Sequence, residues 1–267
     1  RARNAVRVLT EIQGMPEQGI PDKLLDEGRA VIVIPDTIKA GLVIGGRRGH
    51  GLMSVKNADG SWSNPVFMKL TGGSIGFQAG VQSSDIVLVF RNDRSLDNLV
   101  NGKFTLGADA GVAAGPVGRN ASAATDGQLK AEIWSWSRAR GLFAGVALDG
   151  AVLQIDDEAN LEAYGTRTTP RMIFEGRLPG APSMDVVAFR DRLEEATYSA
   201  RSNRGTAAAG SEPARAGTPA AAPVVTPPPA QEATTVPLQN GSPQPAPQQG
   251  FQPVTEGEIR TETLGGN

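Results

Sequence analysis

Two short stretches hold most of the residues whose types and spacing could do chemistry. "GGSIG" at Gly72–Gly76 has the G-x-S-x-G spacing of a nucleophile elbow, in which a sharp strand-to-helix turn presents a serine, here Ser74. The only histidine, His50, stands in "GLVIGGRRGHG" beside the adjacent Arg47 and Arg48. An elbow needs its acid and histidine after the serine, yet His50 precedes Ser74 and no helical pattern follows Gly76. "GGRRGHG" lacks the Lys-Ser/Thr ending of a phosphate loop and leads into a strand pattern, without the helix N-terminus that holds an anion. It reads as a glycine-rich hairpin with Arg47 and Arg48 at its tip, aimed at phosphates or carboxylates or simply solvated, and with His50 as a turn or surface residue. Asp156, Asp157 and Glu158 lack calcium-loop spacing and suit the start of a helix, where negative charge is favourable. Without cysteine, and with one histidine, thiolate and histidine-rich metal centres are excluded. No catalytic set, metal set or cofactor motif assembles, which points away from an enzyme.

The elements that must position these residues are short. Ala2, Ala5, Val6, Leu9 and Ile12 recur at helical spacing, with Arg1, Arg3 and Arg7 largely off that stripe, so the chain starts with an amphipathic helix that has a basic flank. A second helix is expected over Pro21–Glu27, stopped by Gly28. From Arg29 the pattern changes to β-type runs, "AVIVIP", "AGLVIGG", "GLMSVKN", "PVFMKLTGG", "SIGFQAGVQ" and "DIVLVFRN", separated by Gly, Asn, Asp or Pro, with a tight "NADGS" turn at Asn57–Ser61. "SLDNLVNG" predicts a helix capped by Ser95. Strands resume in "KFTLGADAGVAAGPVG", "QLKAEIWSWSR" and "GLFAGVALDGAVLQID", where recurrent glycines mark bulges and close approach in a curved sheet. Glu158–Tyr164 and "SMDVVAFRDRLEEATYSA" are helical, the latter facing inward with Val186, Val187, Phe189, Leu193 and Ala196. Trp62, Trp134 and Trp136 are candidates for core packing or for anchors at a membrane boundary.

Eleven of the 19 prolines fall between Ser202 and Val254, among Ala, Gln, Thr and Gly. Such a segment cannot bury enough surface to offset its ordering entropy, so residues 202–267 read as a disordered Pro/Ala/Gln-rich tail after one domain over residues 1–201. Up to Arg201 the chain has 23 basic and 23 acidic residues, and a neutral domain is a poor match for nucleic acid. No stretch approaches the length of a membrane span. The chain opens with "RARNAV", so export after removal of a leader is an expectation.

Taken in order, "AVIVIPDTIKAGLVIGGRRGHGLM", "GSWSNPVF", "GSIGFQAGVQSSDIVLVF", "LGADAGVAAGPVGR", "WSWSRARGLFAGVALDGAVL" and "NLEAYG" resemble the successive blocks of the SYLF domain family, from about Arg3 to about Ala200. Trp136 stands where the family usually has another aromatic. The resemblance implies phospholipid or phosphoinositide binding, with the N-terminal helix as membrane contact: Arg1, Arg3 and Arg7 for headgroups and Val6, Leu9 and Ile12 for the acyl boundary. Arg47 and Arg48 are further candidate contacts. No SH3 or FYVE domain is visible, and the tail suits the spacer of an exported bacterial protein.

The expectation is therefore an α+β domain whose glycine-rich, mostly antiparallel sheet is strongly curved or barrel-like and flanked by N- and C-terminal helices. It would act without a cofactor on an anionic phospholipid membrane surface, in the periplasm or outer envelope. The alternative is a scaffold that packs the first helix internally and reaches the cell wall or a protein partner through its tail.

Overall fold

A computed structural model describes residues 1–41, 44–75, 80–119, 121, 130–139 and 141–210; the predicted tail beyond residue 210 lies outside the described residues. Helices α1 (Ala2–Gln13) and α2 (Asp22–Glu27) lead into four long strands, β1 (Ala30–Gly41), β2 (Ile44–Val55), β3 (Val66–Ile75) and β4 (Gly80–Phe90). After α3 (Asp93–Val100) come five short strands: β5 (Phe104–Thr105), β6 (Val112–Ala114), β7 (Ile133–Ala139), β8 (Leu142–Gly145) and β9 (Val152–Ile155). The described chain closes with α4 (Asp157–Tyr164), α5 (Pro170–Phe174) and α6 (Met184–Gly210).

The nine strands among the described residues form one sheet, in the order β5-β9-β3-β2-β1-β4-β7-β6, with β8 beside β7. Among the described strands only the β6·β7 pair is parallel, and the sheet curls into a half-barrel flanked by helices, as the α+β reading expects. Ala30–Ile34 are fully buried on both faces, which is why this part of β1 is a continuous apolar run rather than an alternating one. The curl depends on close backbone approach: a Cβ at Gly51 would stand 2.1 Å from the Val33 carbonyl oxygen, and one at Gly115 would stand 2.0 Å from the Trp136 ring. The three tryptophans are core residues, and Trp62 Nε1 donates to Thr197 Oγ1 at 2.8 Å.

A bulge divides β1 in two. The pairing of β1 with both β2 and β4 shifts by one residue around Pro35–Asp36, and Asp36 adopts a left-handed φ of 51°. Before the bulge β1 lies in the core; after it, Ile38 is 51% exposed.

Several local expectations are corrected. α3 begins at Asp93 with Asn92 as its cap, accepting from the Ser95 N–H; the Ser95 hydroxyl instead donates to Glu132. On α1 the inward residue is Val8 and Val6 is only half-buried. At 100° per residue Val8 lies about 60° from the centre of the buried stripe and Val6 about 100°. α6 continues to Gly210, past the expected break at Arg201, on an alanine-rich stretch that favours helix.

Candidate functional site

Beyond the bulge, strand register decides what each face of the sheet carries. In antiparallel strands directly opposed residues share a face, while neighbours along one strand alternate. Ile38 opposes Arg48 and Ala40 opposes Gly46, so these residues lie with His50 on the face that carries α1. Lys39 opposes both Arg47 and Gln82 and stands on the other face. Arg47 and Arg48 are therefore not at a hairpin tip: both strands run on past them, and the two side chains leave opposite faces of β2. They cannot clamp one phosphate together.

Lys39, Arg47 and Arg48 make no side-chain hydrogen bond or ion pair among the described residues. Neither residues 37–58 nor residues 60–84 contain an acid, although the domain as a whole is neutral. Burial pushes the Arg47 guanidinium below its ordinary pKa, with no carboxylate to offset it. Between this end of β1 and β2 and the first turn of α1 runs a groove of about 630 Å³, walled by Arg1, Asn4, Asp36, Ile38, Arg48 and His50.

Asp156 organises the inner end of that groove. Its carboxylate is buried and meets Arg1 Nη1 at 3.2 Å, His50 Nδ1 at 3.2 Å and Lys69 Nζ at 3.1 Å. It also caps α4, accepting from the Ala159 N–H. Burial alone would raise its pKa, but the hydrogen bonds from Lys69, Ala159 and His50, with the charge of Lys69, outweigh this and hold it below the usual carboxylate value. His50 is thus a half-buried strand residue held by a carboxylate, not a turn residue, because β2 continues through it.

The N-terminal helix is tied down along its length. Asn4 Nδ2 donates to Asp36 Oδ2 at 2.7 Å, and Arg7 reaches Glu11, Asp36 and Asp85. Asp85 Oδ1 also accepts the Asp36 N–H at 3.0 Å, and Arg138 pairs with Glu11. Leu9 and Ile12 are buried, while Arg3 is 84% exposed beside Asp185. Of the residues singled out from sequence, the structure brings Arg1 and Arg48 to one groove and places Arg47 on the opposite face of the same strands. Arg3 is on the outside of α1, and Arg7, Leu9 and Ile12 are in its packed interface. Ser74 pairs with Gly45 inside β3, five positions along the strand from Lys69, the partner of His50, so it lies in a continuous strand and not at an elbow turn.

Sequence reasoning missed Lys39, which belongs with Arg47, and the role of Asp156 beyond helix initiation. The acid-free runs 37–58 and 60–84 were the available signal for the first; nothing local signals the second. Among the described residues no helix is long and apolar enough to cross a membrane, and no group of three His, Cys, Asp or Glu side chains could hold a metal ion.

The architecture is that of a curled α+β domain with a cationic sheet end and an adjoining groove. Residues 71–196 match the family described as Ysc84, Las17-binding protein actin regulator. LAS seventeen-binding protein 3 of Saccharomyces cerevisiae is 32% identical over 192 residues, covering 71% of this chain and 41% of the relative. Protein YSC84 of the same yeast is 33% identical over 172 residues, covering 63% and 36%. Human SH3 domain-containing YSC84-like protein 1 is 32% identical over 171 residues, covering 61% and 49%. The chain belongs to the SYLF domain family; it spans between about two fifths and one half of LAS seventeen-binding protein 3 and the human relative.

Proposed function

We propose that this domain is a non-enzymatic binder of anionic phospholipids, phosphoinositides included, that meets the membrane with the outer end of β1–β4. One observation carries the reading: Lys39, Arg47 and Arg48, without side-chain partners among the described residues, lie on both faces of one acid-free ribbon beside the exposed Ile38. Lys39 directly across from Arg47 is a like-charge pair, which is unfavourable in isolation, and an anionic surface would relieve it. A cation near an anionic membrane contributes about 1 kcal/mol, so three supply roughly 3 kcal/mol that salt weakens. The apolar face of α1 would contribute only if the helix left its site, since Leu9 and Ile12 are buried as it stands.

That burial favours a second reading, in which the domain is a scaffold and the partner is a protein or the cell wall. The names of the matching family and of a yeast relative refer to a protein partner, Las17, which supports the same reading. The Pro/Ala/Gln-rich composition after Arg201 supports placement as a spacer-bearing protein of the bacterial periplasm or outer envelope, membrane-associated, which cell fractionation tests. The lipid reading is tested by co-sedimenting the full chain with liposomes of graded anionic content. It expects binding that climbs with anionic lipid and falls with salt; no binding at any composition would leave the scaffold reading in place.

A further inference from the structure

The groove beside α1 differs from the cationic ribbon end in being concave, and its size and lining suit one molecule rather than a surface. Its volume, about 630 Å³, lies within the range of small-molecule sites. Pro35, Ile38 and Ala40 give it an apolar side, with Gly46 opposite Ala40 leaving that side open. Its polar side is Arg48, which has no side-chain partner among the described residues, with Arg1 and His50 held in place by the buried Asp156. Asp156 spends its charge on three donors at once and faces the groove only through them. Among the described residues Asp36 is the acid in the wall, and Asn4 and Arg7 engage it.

We infer that this groove takes a single phosphate-bearing membrane lipid, with the headgroup between Arg48, His50 and Arg1 and the start of one acyl chain along Ile38 and Ala40. Charge complementarity selects the anionic head, and the apolar side selects a chain over a free anion. The inference rests on the lipid-binding reading and adds a stoichiometric site to it. Two of the groove residues, Arg1 and Asn4, belong to the start of α1, so an occupant would also touch the helix that closes the domain.

The probe is dihexanoyl phosphatidate kept below its micelle concentration, titrated into the full chain by calorimetry, with glycerol 3-phosphate as the head without chains. The expected result is saturable one-to-one binding, at least tenfold tighter than glycerol 3-phosphate, since each methylene buried strengthens binding about fourfold. Gly46→Leu fills the open side without a clash, because a Cβ there meets nothing within 4 Å. This variant should lose the monomeric lipid more than tenfold, keep the wild-type melting temperature and still sediment with anionic liposomes. Arg48→Gln should weaken the lipid and glycerol 3-phosphate alike. Liposome binding without monomer binding overturns the groove and leaves the surface reading standing, as would a Gly46→Leu protein that binds the monomer like wild type. Equal affinity for glycerol 3-phosphate reduces the groove to a phosphate site and overturns the lipid assignment. Failure with both liposomes and monomer overturns the two readings together.

Discussion

At the scale of the residue, Asp156 does the most varied work. Replacing it with alanine removes the α4 cap and strands Arg1, His50 and Lys69 around a carboxylate-free site, with an expected loss of about 3 kcal/mol in urea unfolding. Because its folded pKa lies below the ordinary value, its contribution is complete above about pH 4 and disappears as pH falls through the folded value. Asp156→Asn keeps a capping side chain but not the charge, so the gap in melting temperature between it and wild type should close as the solution becomes strongly acidic. Lys56 gives the same slope for the opposite reason, since folding disfavours its charged form. Burial lowers its pKa from 10.5 to about 8 against the pull of Asp26, with Arg201 and Arg29 adding to the lowering. Its ammonium donates to the Leu25 and Asp26 carbonyls at 3.1 and 2.6 Å and lies over the Trp62 ring. Between those pKa values the unfolded chain binds more protons than the folded one, so stability should rise with pH across that window. Lys56→Met should flatten this slope in thermal melts; an unchanged slope would assign it to another group.

At the scale of the element, the bulge at Asp36 and the clamping of α1 form one device. The left-handed Asp36 offers its carboxylate to Asn4 and Arg7 and its N–H to Asp85, so the kink that turns β1 out of the core also anchors the helix. The glycines act through space: Gly115 lies against Trp136, and Gly115→Ala should cost roughly 3 kcal/mol by overpacking, read as a lower urea midpoint. The runs of β-type residues, the glycine-bearing sheet and the helices at both ends were legible because periodicity and glycine spacing are local signals. The bulge was not, since Pro35-Asp36 reads equally well as a turn. The opposite faces of Arg47 and Arg48 follow from alternation once β2 is known to run through them, and their neighbours Lys39 and Ile38 required the register. The partners of Asp156 were beyond reach for the same reason: Arg1 and His50 lie 155 and 106 residues away in the chain.

At the scale of the whole molecule, balanced charge conceals a polar arrangement. The 23 basic and 23 acidic residues up to Arg201 cancel, and many surface arginines pair with carboxylates, yet the outer ends of four adjacent strands hold three cations, all on β1 and β2, and no acid. Composition weighs against a nucleic-acid match but hides where an anionic surface could be met. The domain belongs to a family whose relatives extend well beyond the region matched here, so partners of those longer proteins need not act on this surface. The measurement that bears most directly on the account is co-sedimentation with anionic liposomes at low and moderate salt, comparing the full chain with K39Q/R47Q/R48Q and with R3Q. The account predicts that the triple variant, still folded by circular dichroism, loses most of its binding and its salt dependence, while R3Q stays close to wild type. Binding that survives the triple substitution but is lost in R3Q would contradict it and return the membrane contact to the N-terminal helix.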